Sequence, residues 1–413
     1  MHILYIHQYF ATPHGGTGTR SYEFARRWVR AGHRVRVVTT TAQLTAADLA
    51  ASHGRRWIRR LQVEGIEVTA FHIAYRQKMG FVRRLGAFLS FMIASMAYAV
   101  LIRGVDVVYA TSTPLTVGVP ALAARWLRRR PYVFEVRDVW PEIPIALGIL
   151  RHPILIWAAQ TLERTIYRWA SAIIPLSPGM AHSVRKNAPP GTEIVTIPNA
   201  CDSHVFAPGN DGAEVRRTYG WRDQLVLVHT GAMGPANGLD SILHAANHFR
   251  DDPSLLFALI GEGGEKARLR AECERRNLSN LQIRPAVPKS EIPSLLVAAD
   301  LGMATMAPVP VLEHNSANKF FDYLAAGKPI LLNYGGWQRE LLEDADAGMG
   351  CTMGDDEEFI RKIGELRADP ERLKRMGENA RRLAVERFDR NRLAAKALQV
   401  VVNAASRDRR VRR

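Results

Sequence analysis

The chain has 413 residues, 47% hydrophobic and 23% charged, which excludes a disordered or fibrous protein and suits two domains of about 200 residues each. Lys and Arg outnumber Asp and Glu by 56 to 40, and residues 1–200 alone hold 25 basic against 10 acidic residues, so the first half suits an anionic partner: a lipid surface, a pyrophosphate or nucleic acid. The scattered cysteines Cys201, Cys273 and Cys351 exclude a cysteine zinc cluster or a disulfide framework and fit a reducing compartment.

The N-terminus, Met1 to Gln8, has neither a basic n-region nor a signal-length apolar run, so a cytoplasmic chain is expected. Residues 2–7 read as a strand, followed by a glycine-rich loop and a helix from about Arg20 to Ala31. Further buried-type strands are expected at 34–39, 105–110, 132–136 and 173–176. The same alternation restarts after Pro198, with strands at 225–229, 255–260, 281–284, 301–304 and 329–332. Residues 370 to about 406 read as helical, ahead of the basic tail at 407–413. Strands alternating with helices predict parallel sheets covered on both faces, and therefore two doubly wound α/β domains with a cleft between them. Ligands bind such sheets beyond the carboxyl ends of the strands, so chemistry belongs in the loops there.

The first such loop is residues 14–20, with Gly15 and Gly16. Its spacing is not that of a dinucleotide fingerprint, and no suitable acidic residue ends the second strand. The second runs from His229 to Gly238 and contains Gly231, Met233, Gly234 and Asn237. The third begins at Gly261, and Val287 lies in the loop after residue 284. Glycines let a backbone approach a phosphate, and a following helix N-terminus offers free N–H groups. Residues 315–330 read as a loop, a helix from about Asn318 to Ala326, a glycine stop and a strand. Ser316, Asn318 and Lys319 at that helix start suit a diphosphate, and Asp322 lies on the same helical face as Lys319, placed for ribose hydroxyls. An ordinary solvated Lys–Asp pair is the alternative. After residues 132–136, the run Arg137-Asp138-Val139-Trp140-Pro141-Glu142 brings two carboxylates to the cleft edge. Asp138 is placed either to take a proton from an acceptor hydroxyl or to cap a helix opened by Pro141.

The segments "NKFFDYLAAGKPIL", "FEVRDVWPEIPIALG", "LSPGM", "IPNACD" and "HTGAMGPANGLDSILHAA" resemble the family 4 retaining glycosyltransferases of group 1. The likeness is nearest to the WbuB-like, fucosamine-transferase-like branch that builds O-antigen, capsule and exopolysaccharide units. It implies a GT-B fold of two Rossmann-like domains: residues 1–198 on the acceptor side, a linker at 199–222, and a nucleotide-sugar-binding domain at 223–385. Residues 386–413 then form a helix crossing back, plus the tail. The resemblance sets Gly15 and Gly16 by the donor phosphate and sugar, Gly231 under the diphosphate, and Asp322 on the ribose. Asp138, Lys319 and Glu142 become the catalytic candidates. The family's usual Arg and Lys after the first strand of the second domain are absent, with Asn237 at the lysine position. His314 stands where the first glutamate of the family's paired pattern belongs, beside Glu313. Lys319 is then the main phosphate cation. Retention with the donor's own phosphate as proton acceptor is implied, with no metal and no other cofactor.

Residues 85–102 form 18 consecutive positions without a charge, about 27 Å as a helix, next to Arg83 and Arg84. Crossing a membrane there would separate residues 1–80 from the strand at 105–110, so the helix is expected either buried or lying in the interface. Arg76, Lys78, Arg83 and Arg84 would then reach lipid phosphates. The expected partners are a nucleotide-sugar, a lipid-linked saccharide acceptor and the anionic inner face of the plasma membrane. A sugar-nucleotide 2-epimerase of the same fold is one rival. A nucleic-acid-binding module is another, disfavoured because the basic residues are scattered on helices without interleaved aromatics.

Overall fold

A computed structural model of the chain describes residues 1–12, 14–15, 19–75, 79–206 and 212–412. The chain forms two compact units, Met1–Pro198 with Arg390–Arg413, and Asn199–Asp389.

Unit 1 carries strands β1 (His2–Ile6), β2 (Arg34–Thr40), β3 (His53–Arg55), β4 (Ile58–Val63), β5 (Ile66–Phe71), β6 (Val107–Thr111), β7 (Tyr132–Val136) and β8 (Ala172–Pro175). They form one sheet in the order β3-β4-β5-β2-β1-β6-β7-β8. The expectation of a purely parallel sheet fails at one edge, where β4 runs antiparallel to both β3 and β5. Glu64 and Gly65, with φ of 45° and 82°, close a tight hairpin between β4 and β5. The helices are α1 (Arg20–Arg30), α2 (Ala46–Ala50), α3 (Phe81–Leu101), α4 (Gly118–Arg128), α5 (Glu142–Ala146), α6 (Pro153–Trp169) and α7 (Pro178–Asn187). Because side chains alternate along a strand, Leu4, Ile6, Val108, Ala110, Tyr132 and Phe134 share one face of the sheet. There they pack with Phe91 of α3, Ala121 of α4, Ile166 of α6 and Val184 of α7.

Unit 2 is a six-stranded parallel sheet in the order β11-β10-β9-β12-β13-β14. Its strands are β9 (Leu225–Thr230), β10 (Leu255–Ile260), β11 (Leu281–Arg284), β12 (Leu301–Ala304), β13 (Ile330–Leu332) and β14 (Gly348–Gly350). Around it stand α8 (Gly212–Tyr219), α9 (Asp240–His248), α10 (Lys266–Arg275), α11 (Ile292–Ala298), α12 (Asn318–Ala325), α13 (Gly336–Asp344), α14 (Asp356–Ala368) and α15 (Pro370–Arg387). The chain moves outward from β9 to β11 on one side and from β12 to β14 on the other. The strand order therefore reverses between β9 and β12, where open α/β sheets leave a crevice.

The stretch read as helical from Pro370 consists of two helices, the first being α15. Phe388 is buried against the ring of Phe321 at 5.0 Å, and its carbonyl accepts the Cys201 N–H at 3.1 Å, which breaks the helical ladder. The chain resumes as α16 (Arg390–Arg412) in unit 1, where the Ala394 carbonyl accepts the Trp28 indole N–H at 3.0 Å. The described part of the stretch expected as a linker belongs to unit 2, with α8 tied to Ala298 and Asp300 through Arg216.

Candidate active site

The carboxyl edge of unit 2 is built by loops pressed backbone to backbone. β9 ends at Thr230, and Gly231 follows with φ of 123°, a conformation that L side chains rarely adopt. A Cβ at Gly261, after β10, would fall 1.7 Å from the Gly231 carbonyl oxygen. The Gly231 N–H donates to Ile260 at 2.9 Å and the Met233 N–H to Glu262 at 2.8 Å, so the two loops form one ledge. Of Met233, a donor-binding candidate, only the main chain stands on this ledge. The thioether is fully buried in the core with Leu227 and Leu239, because burial of an apolar side chain outweighs exposure on a polar ledge.

Lys319, in the first turn of α12, reaches this ledge half-buried. Its Nζ donates to His229 Nε2 at 3.0 Å and to Asn237 Oδ1 at 3.3 Å. Desolvation pulls its pKa down to about 7. His229 is buried, and burial, with Lys319 beside it, holds its imidazole well below the usual range. His229 is therefore neutral and accepts from the ammonium. The N-cap of α12 is Ala317, which offers no side-chain cap to the helix amides, while its own N–H donates to Asn315 Oδ1 at 3.1 Å.

The solvated Lys319–Asp322 pair does not form. Asp322 is buried and turns instead to Lys289, which stands just beyond the loop holding the half-buried Val287. Lys289 carries no signal in the sequence, since the spacing of 33 residues is bridged only by the fold. Tyr323 is another residue the sequence leaves unread. Its hydroxyl accepts the Thr230 N–H at 2.8 Å and fixes α12 to the end of β9. Ser316 is buried and its Oγ already accepts the Asn199 N–H at 3.2 Å, so it holds the chain where unit 2 begins. Gly234, half-buried, carries the Asn237 N–H on its carbonyl, and Asn318 is half-buried at the head of α12. Glu313 accepts the Gly335 N–H at 3.1 Å.

In unit 1, the Gly15 N–H donates to the Thr12 carbonyl at 3.1 Å. The loop is tied to α2 through Thr12 Oγ1 and Asp48 at 2.9 Å. Gly16 lies outside the described residues, as do Arg76 and Lys78. Arg20, the first residue of α1, is buried and pairs with the buried Glu135 of β7 at 2.9 Å. It also donates to the carbonyls of Ile197 and Pro198. Tyr109 and Thr111 complete the hydrogen bonds to Glu135, at 2.7 and 3.0 Å. Three residues beyond Glu135, Asp138 is exposed and accepts from Thr113 Oγ1 at 2.6 Å. It caps no helix, because α5 begins three residues past the position such a cap needs, with Pro141 at its N-cap. Glu142 is exposed at the head of α5, and the buried His7 faces Arg137 at 3.4 Å. α3 buries Ala87, Phe91, Ser95 and Ala99, spaced four apart, against the sheet. Arg83 and Val82 at its head are exposed, and Arg84 donates to the Met79 carbonyl at 3.2 Å.

Residues 15–200 match the family described as Glycosyl transferase 4-like domain, and residues 213–383 match Glycosyl transferases group 1. Each half of the chain is thus a glycosyltransferase domain, the second of group 1. The fold of the chain is GT-B, as in the sucrose-phosphate synthase of Thermosynechococcus elongatus. That structure aligns with a TM-score of 0.75 at 15% identity, over 97% of this chain and 98% of the other. HepE of Anabaena, crystallised with UDP-glucose, aligns at 0.70 with 21% identity, over 97% and 99%. Among curated relatives, WcaI of Escherichia coli, assigned to colanic acid biosynthesis, is 37% identical over 75 residues, 18% of each chain. The MMP alpha-(1->4)-mannosyltransferase of Mycolicibacterium hassiacum is 24% identical over 219 residues, 52% of this chain and 49% of that protein. The aligned stretches thus span about half or less of these relatives.

Proposed function

We propose that this glycosyltransferase moves a sugar from a nucleotide-sugar to a lipid-linked saccharide in surface-polysaccharide synthesis, with retention of configuration. The donor is a UDP-linked N-acetylated or deoxy hexose, and the acceptor a polyprenyl-diphosphate-linked saccharide at the inner membrane face. The observation that carries the reading is the half-buried ammonium of Lys319, held by the neutral His229 and by Asn237 beside the Gly231–Gly261 ledge. A diphosphate there would receive main-chain N–H groups, a helix N-terminus and one cation, the arrangement that stabilises a departing diphosphate. Asp322, oriented by Lys289, would accept from the ribose hydroxyls. Asp138 and Glu142, both exposed at the carboxyl edge of unit 1, would orient the acceptor hydroxyl while the departing phosphate takes its proton. The UDP-glucose complex of HepE supports a UDP donor, and the GDP-mannose dependence of a Mycolicibacterium smegmatis relative supports a GDP-sugar as the second reading. The basic head of α3, with Arg83 exposed and Arg84 half-buried, would hold the enzyme on anionic lipid.

A thermal-shift panel of UDP-, GDP- and dTDP-sugars tests the donor, since a bound donor raises the melting temperature by mass action. A shift with one nucleotide, lost in Lys319→Ala, is the expected result. No shift with any of them, or an unchanged shift in the variant, would overturn the reading. Sugar transfer to a polyprenyl-diphosphate saccharide, followed by mass spectrometry, then tests the acceptor.

A further inference from the structure

Helices α3, α4 and α6 lie side by side on one face of the unit 1 sheet. Arg128 and Arg130 of the α4 end donate to the Val100 and Ala99 carbonyls of α3 at 2.7 and 2.8 Å. Trp126 of α4 and Trp169 of α6 meet edge to face at 6.1 Å. Their inner sides fill the core, yet their outer sides stay apolar. Leu85, Leu89 and Ile93 form an exposed stripe along α3, and Leu127 is exposed on α4. Trp126, Trp157 and Trp169 are 52%, 66% and 43% exposed, and Ile154 and Leu155 stand exposed in the first turn of α6. Scattered apolar side chains are normal on a surface, but a run of this size over three neighbouring helices marks an interaction face.

The charges on this layer select the occupant. Arg83, Arg128, Arg164 and Arg168 are exposed on the three helices, with Arg103, Arg129 and Arg151 at their ends. The single acidic residue of the three helices, Glu163, is buried, and accepts from Asn187 at 3.3 Å. A two-fold pairing with a second copy would set arginine against arginine with no carboxylate opposite. An anionic bilayer surface offers phosphates to the arginines and an acyl boundary to the apolar stripe, and tryptophan prefers that boundary because its ring is apolar and its N–H polar.

We infer that the whole outer face of the α3–α4–α6 layer docks onto anionic lipid, with Trp126, Trp157 and Trp169 as its anchors. This rests on the membrane side of the function proposed above, and extends it from the basic head of one helix to three helices.

The test is sedimentation of the full chain with phosphatidylcholine vesicles, with and without phosphatidylglycerol. Wild type is expected to bind only the phosphatidylglycerol vesicles, less so at high salt. The triple variant W126A/W157A/W169A is expected to lose binding at least tenfold while keeping its far-UV circular dichroism. If the triple variant fails to fold, W157A alone and quenching of wild-type tryptophan emission by brominated acyl chains take its place, and absent quenching overturns the inference. If the triple variant binds like wild type while R83Q/R84Q does not, the three-helix face fails and the one-helix reading survives. If neither variant differs from wild type, or wild type ignores phosphatidylglycerol, both fail. A lipid-free dimer dissolved by the triple variant makes a second copy the occupant, and overturns the inference.

Discussion

Raising the pH from 6 to 8 is expected to weaken nucleotide-sugar binding about tenfold through a single group, Lys319. Free, its ammonium is desolvated beside the neutral His229, with a pKa of about 7. A bound diphosphate supplies the missing counter-charge, so the pKa returns toward the ordinary ~10.4. At pH 8 roughly nine free molecules in ten carry a neutral Lys319, and binding must first protonate it; at pH 6 only about one in ten does. That fraction gives the factor of about ten. His229 stays uncharged across this range, since burial and Lys319 depress it. A nucleotide-sugar diphosphate does not titrate there. Isothermal calorimetry at constant ionic strength, in wild type and K319M, measures the slope. The variant is expected to bind weakly and without this dependence. Folding reports the same group with a defined sign. The folded pKa lies below the unfolded value, so the site costs stability below pH 7 and releases that cost as the pH rises from 7 toward 10. The melting-temperature difference between K319M and wild type should therefore shrink over that window. An affinity independent of pH in wild type, or an identical slope in K319M, would refute the reasoning.

Asp322→Asn should weaken donor binding ten- to a hundredfold, about 1.5–3 kcal/mol for a charged hydrogen bond, and a 2′,3′-dideoxyribose donor should bind both proteins alike. Gly261→Ala puts a methyl group 1.7 Å from the Gly231 carbonyl, so the ledge must open; a melting temperature several degrees lower and loss of donor binding are expected by calorimetry. Glu135→Gln leaves the buried Arg20 without its counter-charge and should cost unit 1 about 3–5 kcal/mol in urea unfolding. Asp138→Asn should lower kcat about a hundredfold or more with donor affinity unchanged, and an equal loss in donor affinity would move Asp138 out of the proposed acceptor role.

Much of the fold is local information. β7, β10 and β12 fall on the expected residues because a run of apolar and β-branched side chains between turns can be buried only as a central strand. The glycines at 231 and 261 and the start of α12 were legible for the same reason, since glycine spacing and a helix start are short-range properties. The antiparallel edge escaped notice because β4 alternates weakly: its burial runs exposed, half-buried, exposed, buried.

What each side chain does at the end of its strand was decided by neighbours distant in sequence. Lys319 and Asp322 are three residues apart on one helix, yet one turns to His229, 90 residues away, and the other to Lys289, 33 residues away. Met233 looked like a loop residue and became core, and Arg20, next to a glycine loop, became a buried ion pair with a strand 115 residues on. The sequence by itself determined two α/β units and where their carboxyl-edge loops lie, because hydrophobic periodicity and glycine turns act within a few residues. Only the tertiary structure decided which charges meet, which of them lose water, and which helix faces stay apolar and uncovered. Those outcomes depend on burial, and burial belongs to the assembled chain.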